Sequence, residues 1–196
     1  LLVVFIFSAN FFIDFVICNW KEYFIWRLPS VSDHSLSNLL IYGGITNATV
    51  RACIGPLLSI LGYKGFYCLL SGLTIAGSFS IYYLGATYIT AIIYTTLGFG
   101  LMGMLYTGTP CLADAIFGSI IGPKIFSYVY MFLCVSSFGE YFIYVYYGVF
   151  GNFQEMYIIF GALAVVSLVC VLLLDYKPNW RERLGADKYD QIIVEM

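Results

Sequence analysis

Charge is what this chain has least of. Only 10% of its 196 residues are Asp, Glu, Lys or Arg, against about 25% in a soluble domain. Such a composition cannot cover a surface that faces water on all sides, which excludes an ordinary soluble protein. Basic tracts are missing and the formal net charge is -2, so no nucleic-acid partner is expected. The single histidine, His34, excludes a metal cluster or a Ser-His-Asp set built on buried histidine. No GxxxxGK[ST] loop is present to hold ATP, and no TVGYG-type filter to select K⁺. The cysteines Cys18, Cys53, Cys68, Cys111, Cys134 and Cys170 form no CxxC pair and read as small packed or lipid-facing side chains. No organic cofactor and no metal are implied. These absences favour a carrier over a pump or an enzyme.

What is there is apolar. Hydrophobic residues make up 61% of the chain, and the mean hydropathy is +0.89. A helix needs about 20 apolar residues to cross a hydrocarbon core about 30 Å thick. Six runs qualify: residues 1–20, 36–58, 66–84, 86–111, 125–149 and 153–174. The expectation is an all-α, polytopic transmembrane bundle of six spans over 1–175, with a polar tail at 176–196. The chain opens inside an apolar run, without an initiator methionine, a basic leader or a cleavage site. It is therefore expected to begin partway through a longer protein.

Lys and Arg set the expected orientation. With the tail in the cytoplasm, Arg51, Lys64, Lys124, Lys177, Arg181, Arg183 and Lys188 fall inside, and only Lys21 and Arg27 fall outside. That is the positive-inside bias. Residues 19–35 then form an outer loop, and Trp20, Trp26 and Trp180 lie near the boundaries, where interfacial aromatics belong.

The second run carries the residues that need explaining. In "YGGITNATVRACIGP", Gly43, Asn47, Arg51 and Gly55 recur every four residues and share one stripe of a helix. Small neighbours let another helix come close. A stripe of glycine, amide and guanidinium is expected to face the bundle interior or a water-filled cavity. Arg51 has two readings. It pairs with an acid or with helix-end carbonyls, or its planar fork receives an anion such as a carboxylate. Intramembrane charges are functional hypotheses by default.

The intramembrane acids are Asp14, with Asn10 one turn earlier on the same face, and Glu140 in "SSFGEYF". Each is either a neutral or paired acid bonded inside the bundle, or a proton-coupling acid, since burial in general favours the protonated carboxyl. Either could be the partner of Arg51. The fourth run holds Gly98, Gly100, Gly103, Gly108 and Pro110, the composition of a helix that packs closely and can bend. Asp114 reads as a solvated acid at its inner edge.

"SDHSLSNLLIYGGITNATVRACIGPLLSILGYKGFY" resembles the eighth helix and following cytoplasmic loop of the major facilitator superfamily. It is most similar to the branch of oxalate:formate antiporters and monocarboxylate transporters, with a polar residue one turn before an Arg, then Gly. The next loop there resembles G-x-x-x-D-x-x-G-x-K, matched by Gly55, Ser59, Gly62 and Lys64. "CLADAIFG" and "IGPKIFSYVYMFLCVSSFGEY" resemble that branch's tenth-to-eleventh helix region.

The resemblance implies helices seven to twelve of a twelve-helix carrier, working by alternating access against a missing N-terminal half. It implies a small organic anion as substrate, such as a monocarboxylate, with H⁺ as the candidate coupling ion. Arg51, Asn47 and Asn10 are the candidate substrate-binding residues, Asp14 and Glu140 the coupling or charge-balancing acids, and Gly55, Ser59, Gly62 and Lys64 the gating loop. The sequence departs from the pattern in three places. Ser59 replaces the loop Asp, Asn47 stands where monocarboxylate transporters often carry Asp, and 125–149 has no counterpart of the eleventh-helix Lys found in oxalate carriers. A single carboxylate therefore fits better than a dicarboxylate. The rival readings are a carrier of neutral or cationic solutes with Arg51 locked in an ion pair, and a non-transporting receptor or scaffold.

Overall fold

The computed structural model describes residues 1–84, 87–148 and 151–176. Among them every regular element is helical: α1 (Leu2–Cys18), α2 (Trp20–Arg27), α3 (Asp33–Ser37), α4 (Leu39–Ser80), α5 (Tyr88–Ile143), a π-helical turn (Tyr144–Gly148) and α6 (Phe153–Leu173). The polar stretch expected as an outer loop instead carries α2 and α3. α2 turns 64° away from α1, and Ser32 caps α3 by accepting a hydrogen bond from the Ser35 amide at 3.1 Å. Thr87 and Thr90 close a reciprocal capping box at the start of α5.

α4 and α5 are both broken by a glycine in a backbone conformation that L side chains rarely adopt: Gly62 (φ 64°, ψ 168°) and Gly118 (φ 80°, ψ 165°). The packing shows what the breaks do. Gly43 sits against the Phe99 ring, and Gly77 sits against Leu97. A straight helix, at about 1.5 Å per residue, would hold Gly43 and Gly77 about 50 Å apart. α4 therefore folds back on itself at Gly62. By the same reasoning α5 folds back at Gly118, because Tyr106 and Ser136 both reach Asn10.

α1 lies at the centre. Residues 8–16 are all buried, so the middle of the helix is covered on every side, as an all-round apolar helix requires. Phe5 meets Tyr67 of α4 edge-on at 5.1 Å, and Phe15 meets Tyr157 of α6 edge-on at 5.4 Å. Gly98 of α5 lies directly against Val16.

Asp33–Ser80, Tyr88–Gly118, Ile121–Gly148 and Phe153–Leu173 are each long and apolar enough to cross a membrane, and the bent pair α1–α2 makes a fifth if taken as one span. The chain has the character of a helical membrane protein. The run expected to end at 111 continues as helix to Gly118, because Pro110 and Asp114 are absorbed inside α5. The tail expected at 176–196 lies outside the described residues beyond Tyr176, as do Lys177, Trp180, Arg181, Arg183 and Lys188.

Candidate functional site

Two polar features stand out, one inside the bundle and one on its open side. The inner one is built on α1, and its partner Ser137 reaches the exposed surface of α5. Asn10 and Asp14 are one turn apart, so their side chains stack on one face, and both are buried. Asn10 Nδ2 donates to Asp14 Oδ2 at 2.5 Å and to Ser136 Oγ at 2.8 Å. Ser137 Oγ also donates to Asp14 Oδ2, at 2.5 Å. The Tyr106 hydroxyl lies 3.3 Å from Asn10 Oδ1 and 3.4 Å from Asp14 Oδ1. The acid thus joins α1 to both arms of α5.

The polar seam continues toward α2. Asn19 Nδ2 donates to Glu140 Oε1 at 2.8 Å, and the Tyr144 hydroxyl donates to Glu22 Oε2. Ser136, Glu140 and Tyr144 recur every four residues, so the second arm of α5 and the π-helical turn that follows it present one polar edge to α1 and α2. Asp14 also acts electrostatically on Glu140.

The open feature is Arg51. Gly43 is buried, and a methyl group there would come within 2.7 Å of the Phe99 ring. Asn47 is half-buried, and Arg51 and Gly55 are exposed. A four-residue repeat drifts by about 40° per step on a helix of 3.6 residues per turn, so the stripe leaves the α4–α5 contact as it descends. The expectation that the whole stripe faces the interior holds for its first half only. Asn47 is engaged elsewhere: its Nδ2 donates to the Phe99 carbonyl at 2.9 Å and clamps α4 to α5. Among the described residues Arg51 makes no ion pair or hydrogen bond, whereas Lys21 pairs with Asp33 at 2.8 Å. Neither Asp14 nor Glu140 is its partner. Its charge is felt by Tyr130 of α5, whose ring stands 5.7 Å from that of Tyr106.

The residues expected to form a gating loop have separate settings. Gly55 and Ser59 are exposed inside α4, and Gly62 makes the reversal. Lys64 Nζ donates to the Leu172 carbonyl at 3.1 Å, and the Tyr176 hydroxyl donates to that of Val171 at 3.1 Å, so both tie down the end of α6. Burial pushes the Tyr176 phenol above its ordinary range.

Sequence reasoning identified Asn10, Asp14 and Glu140 but missed Tyr106, Ser136, Ser137 and Asn19. The only signal for the serines was their place in "SSFGE", one turn before the acid. Among the described residues no group of three or more His, Cys, Asp and Glu comes together. No protein-family model matches the chain, and no curated protein or solved structure matches it.

Proposed function

We propose that this chain is six-helix half of a secondary carrier for a small organic anion, similar in architecture to the major facilitator superfamily. In this reading α1, the two arms of α4, the two arms of α5 and α6 each cross the bilayer. The Lys/Arg asymmetry puts the C-terminus in the cytoplasm. A partner half would close a cavity over the open side of α4, and the two halves would rock about a midplane site.

The observation that carries the reading is Arg51, a guanidinium in an apolar helix with no partner among the described residues. Placing Arg at the centre of a membrane helix is unfavourable by about 2.5–3.5 kcal/mol on insertion scales. A substrate carboxylate is the chemistry that matches its two-point fork. Asn47 then supports the site by holding α4 against α5 at the level just above Arg51.

The test is uptake of a panel of labelled organic acids by the full-length protein in proteoliposomes. The reading expects uptake of one or more monocarboxylates, lost in Arg51→Ala at unchanged membrane abundance. Uptake confined to neutral or cationic solutes, and indifferent to Arg51→Ala, would overturn it.

A further inference from the structure

The cluster around Asp14 has more acceptors than hydrogens to fill them. Asp14 Oδ2 receives two short hydrogen bonds, from Asn10 and Ser137. Asp14 Oδ1 and Asn10 Oδ1 have only the Tyr106 hydroxyl between them, at 3.4 and 3.3 Å. That hydroxyl carries one hydrogen, and O–H···O bonds are usually about 2.7–2.8 Å long. Three oxygens from two elements therefore converge with one shared hydrogen, in a site where Asn10 and Asp14 are buried.

The separations have a meaning of their own. Oxygen ligands about 2.3–2.6 Å from a cation, the range taken by Ca²⁺, to which Na⁺ is nearly equal in size, stand about 3.3–3.7 Å apart when at right angles around it. The two separations measured from Tyr106 fall within that range. A larger ion such as K⁺ needs a wider set. The one carboxylate in the set balances a single positive charge, and the amide and phenol oxygens are neutral. The titratable groups facing it are Tyr106 from the first arm of α5, Glu140 from the second arm, and Cys18 on α1 itself. Among the described residues no Lys, Arg or His bonds to Asp14, so no protein cation fills the role.

We propose that Asp14 Oδ1, Asn10 Oδ1 and the Tyr106 hydroxyl form a binding site for a monovalent cation of the size of Na⁺. Binding there draws the first arm of α5 onto α1, while Ser136 and Ser137 hold the second arm. In the carrier reading this is the coupling ion's site, though its occupation can be measured with no anion present. Failure of the ion experiment therefore leaves the Arg51 reading standing, and failure of anion uptake leaves the ion site standing.

The experiment is thermal unfolding of the full chain in detergent, titrated with NaCl, KCl or choline chloride at constant total salt. A ligand that binds only the folded state raises Tm saturably. The expected result is a saturable rise with Na⁺, none with choline, and a K⁺ midpoint at least about tenfold higher. Asp14→Asn abolishes the Na⁺ response. Tyr106→Phe, which keeps the ring and removes one oxygen, raises the Na⁺ midpoint severalfold, and Ser71→Ala leaves it unchanged. Superimposable curves for the three salts would overturn the proposal. So would a Tyr106→Phe midpoint equal to wild type, which keeps the test open if Asp14→Asn fails to fold. A rise in Tm on acidification, with no response to Na⁺, would assign the site to a proton and also overturn it.

Discussion

Asp14 and Arg51 are both charged residues in apolar helices, and the protein treats them in opposite ways. Asp14 sits on the helix at the centre of the bundle, with Asn10, Ser137 and Tyr106 around it. Arg51 sits on an arm that buries only a narrow face, and it has no bonded partner among the described residues. Leaving a buried polar group unmade is expensive, so a covered helix can keep an acid only by building a shell for it. The open arm has no neighbour to build one. What separates a bonded charge from an available one is therefore the number of helices surrounding it. Asp14 joins elements together and keeps only Oδ1 weakly bonded, whereas Arg51 has no bonded partner among the described residues.

The largest break in that contrast is expected at Arg51. Losing the charged partner of a bound anion is worth about 2–5 kcal/mol, so Arg51→Ala should lower organic-anion uptake by about 30-fold or more. Its unfolding free energy should stay within about 0.5 kcal/mol of wild type, as for a site without a bonded partner. Arg51→Lys keeps the charge and loses the planar fork, so it should recover little uptake. Paired uptake and thermal-melt measurements on the same preparations separate the two quantities. If Arg51→Ala unfolds readily and neutralising Asp14 or Glu140 restores it, the arginine is structural and the contrast collapses.

Asp14→Ala should do the reverse. It leaves the Asn10 amide with only Ser136 and the Ser137 hydroxyl with only the Leu133 carbonyl. Removing one side of such a buried network costs about 1–3 kcal/mol. Glu140→Ala should cost less, because the principal bond lost is the one from the part-buried Asn19. Melting temperatures of the two variants, ranked against Arg51→Ala, give the order Asp14, Glu140, Arg51. An order that puts Arg51 above either acid would mean that the seam is not what holds α1 to α5.

Much of the fold was legible because apolar runs of membrane length have few alternatives. Every regular element among the described residues is helical, with four helices of membrane length and a fifth if α1 and α2 are taken as one span, and the glycines of the fourth run do mark close approach, at Gly98 and Gly103. The ends were less legible. Pro110 and Asp114 look like a boundary, but α5 carries both and reverses only at Gly118, where the backbone conformation demands glycine. In the site, the Asn10–Asp14 pair could be read from its one-turn spacing. Its partners could not, because Tyr106 and Ser136 are brought to it by the reversal of α5, a tertiary event with no periodic mark in the sequence. Asn47 was expected to assist Arg51. Its amide instead reaches the α5 backbone, close to the point where Gly103 lets the two helices approach.

Glycines sharpen the same comparison between covered and open helix faces, and the smallest expected effect, at Gly44, is among them. A side chain at Gly98 would run into Val16 of α1, so Gly98→Leu should lower stability by about 1–3 kcal/mol through overpacking. On the first arm of α4, neighbouring positions should differ in sign. Gly43 is filled by the Phe99 ring, so Gly43→Ala must push that ring aside and should destabilise. At Gly44 a methyl group meets nothing within 4 Å. Gly in a helix interior is disfavoured by roughly 0.5–1 kcal/mol relative to Ala, so Gly44→Ala should raise stability by about that amount and leave anion uptake unchanged. Thermal melts of the two alanine variants check this directly. If Gly44→Ala destabilises as much as Gly43→Ala, another helix covers that flank of α4, and Arg51 would face that helix rather than an open cavity.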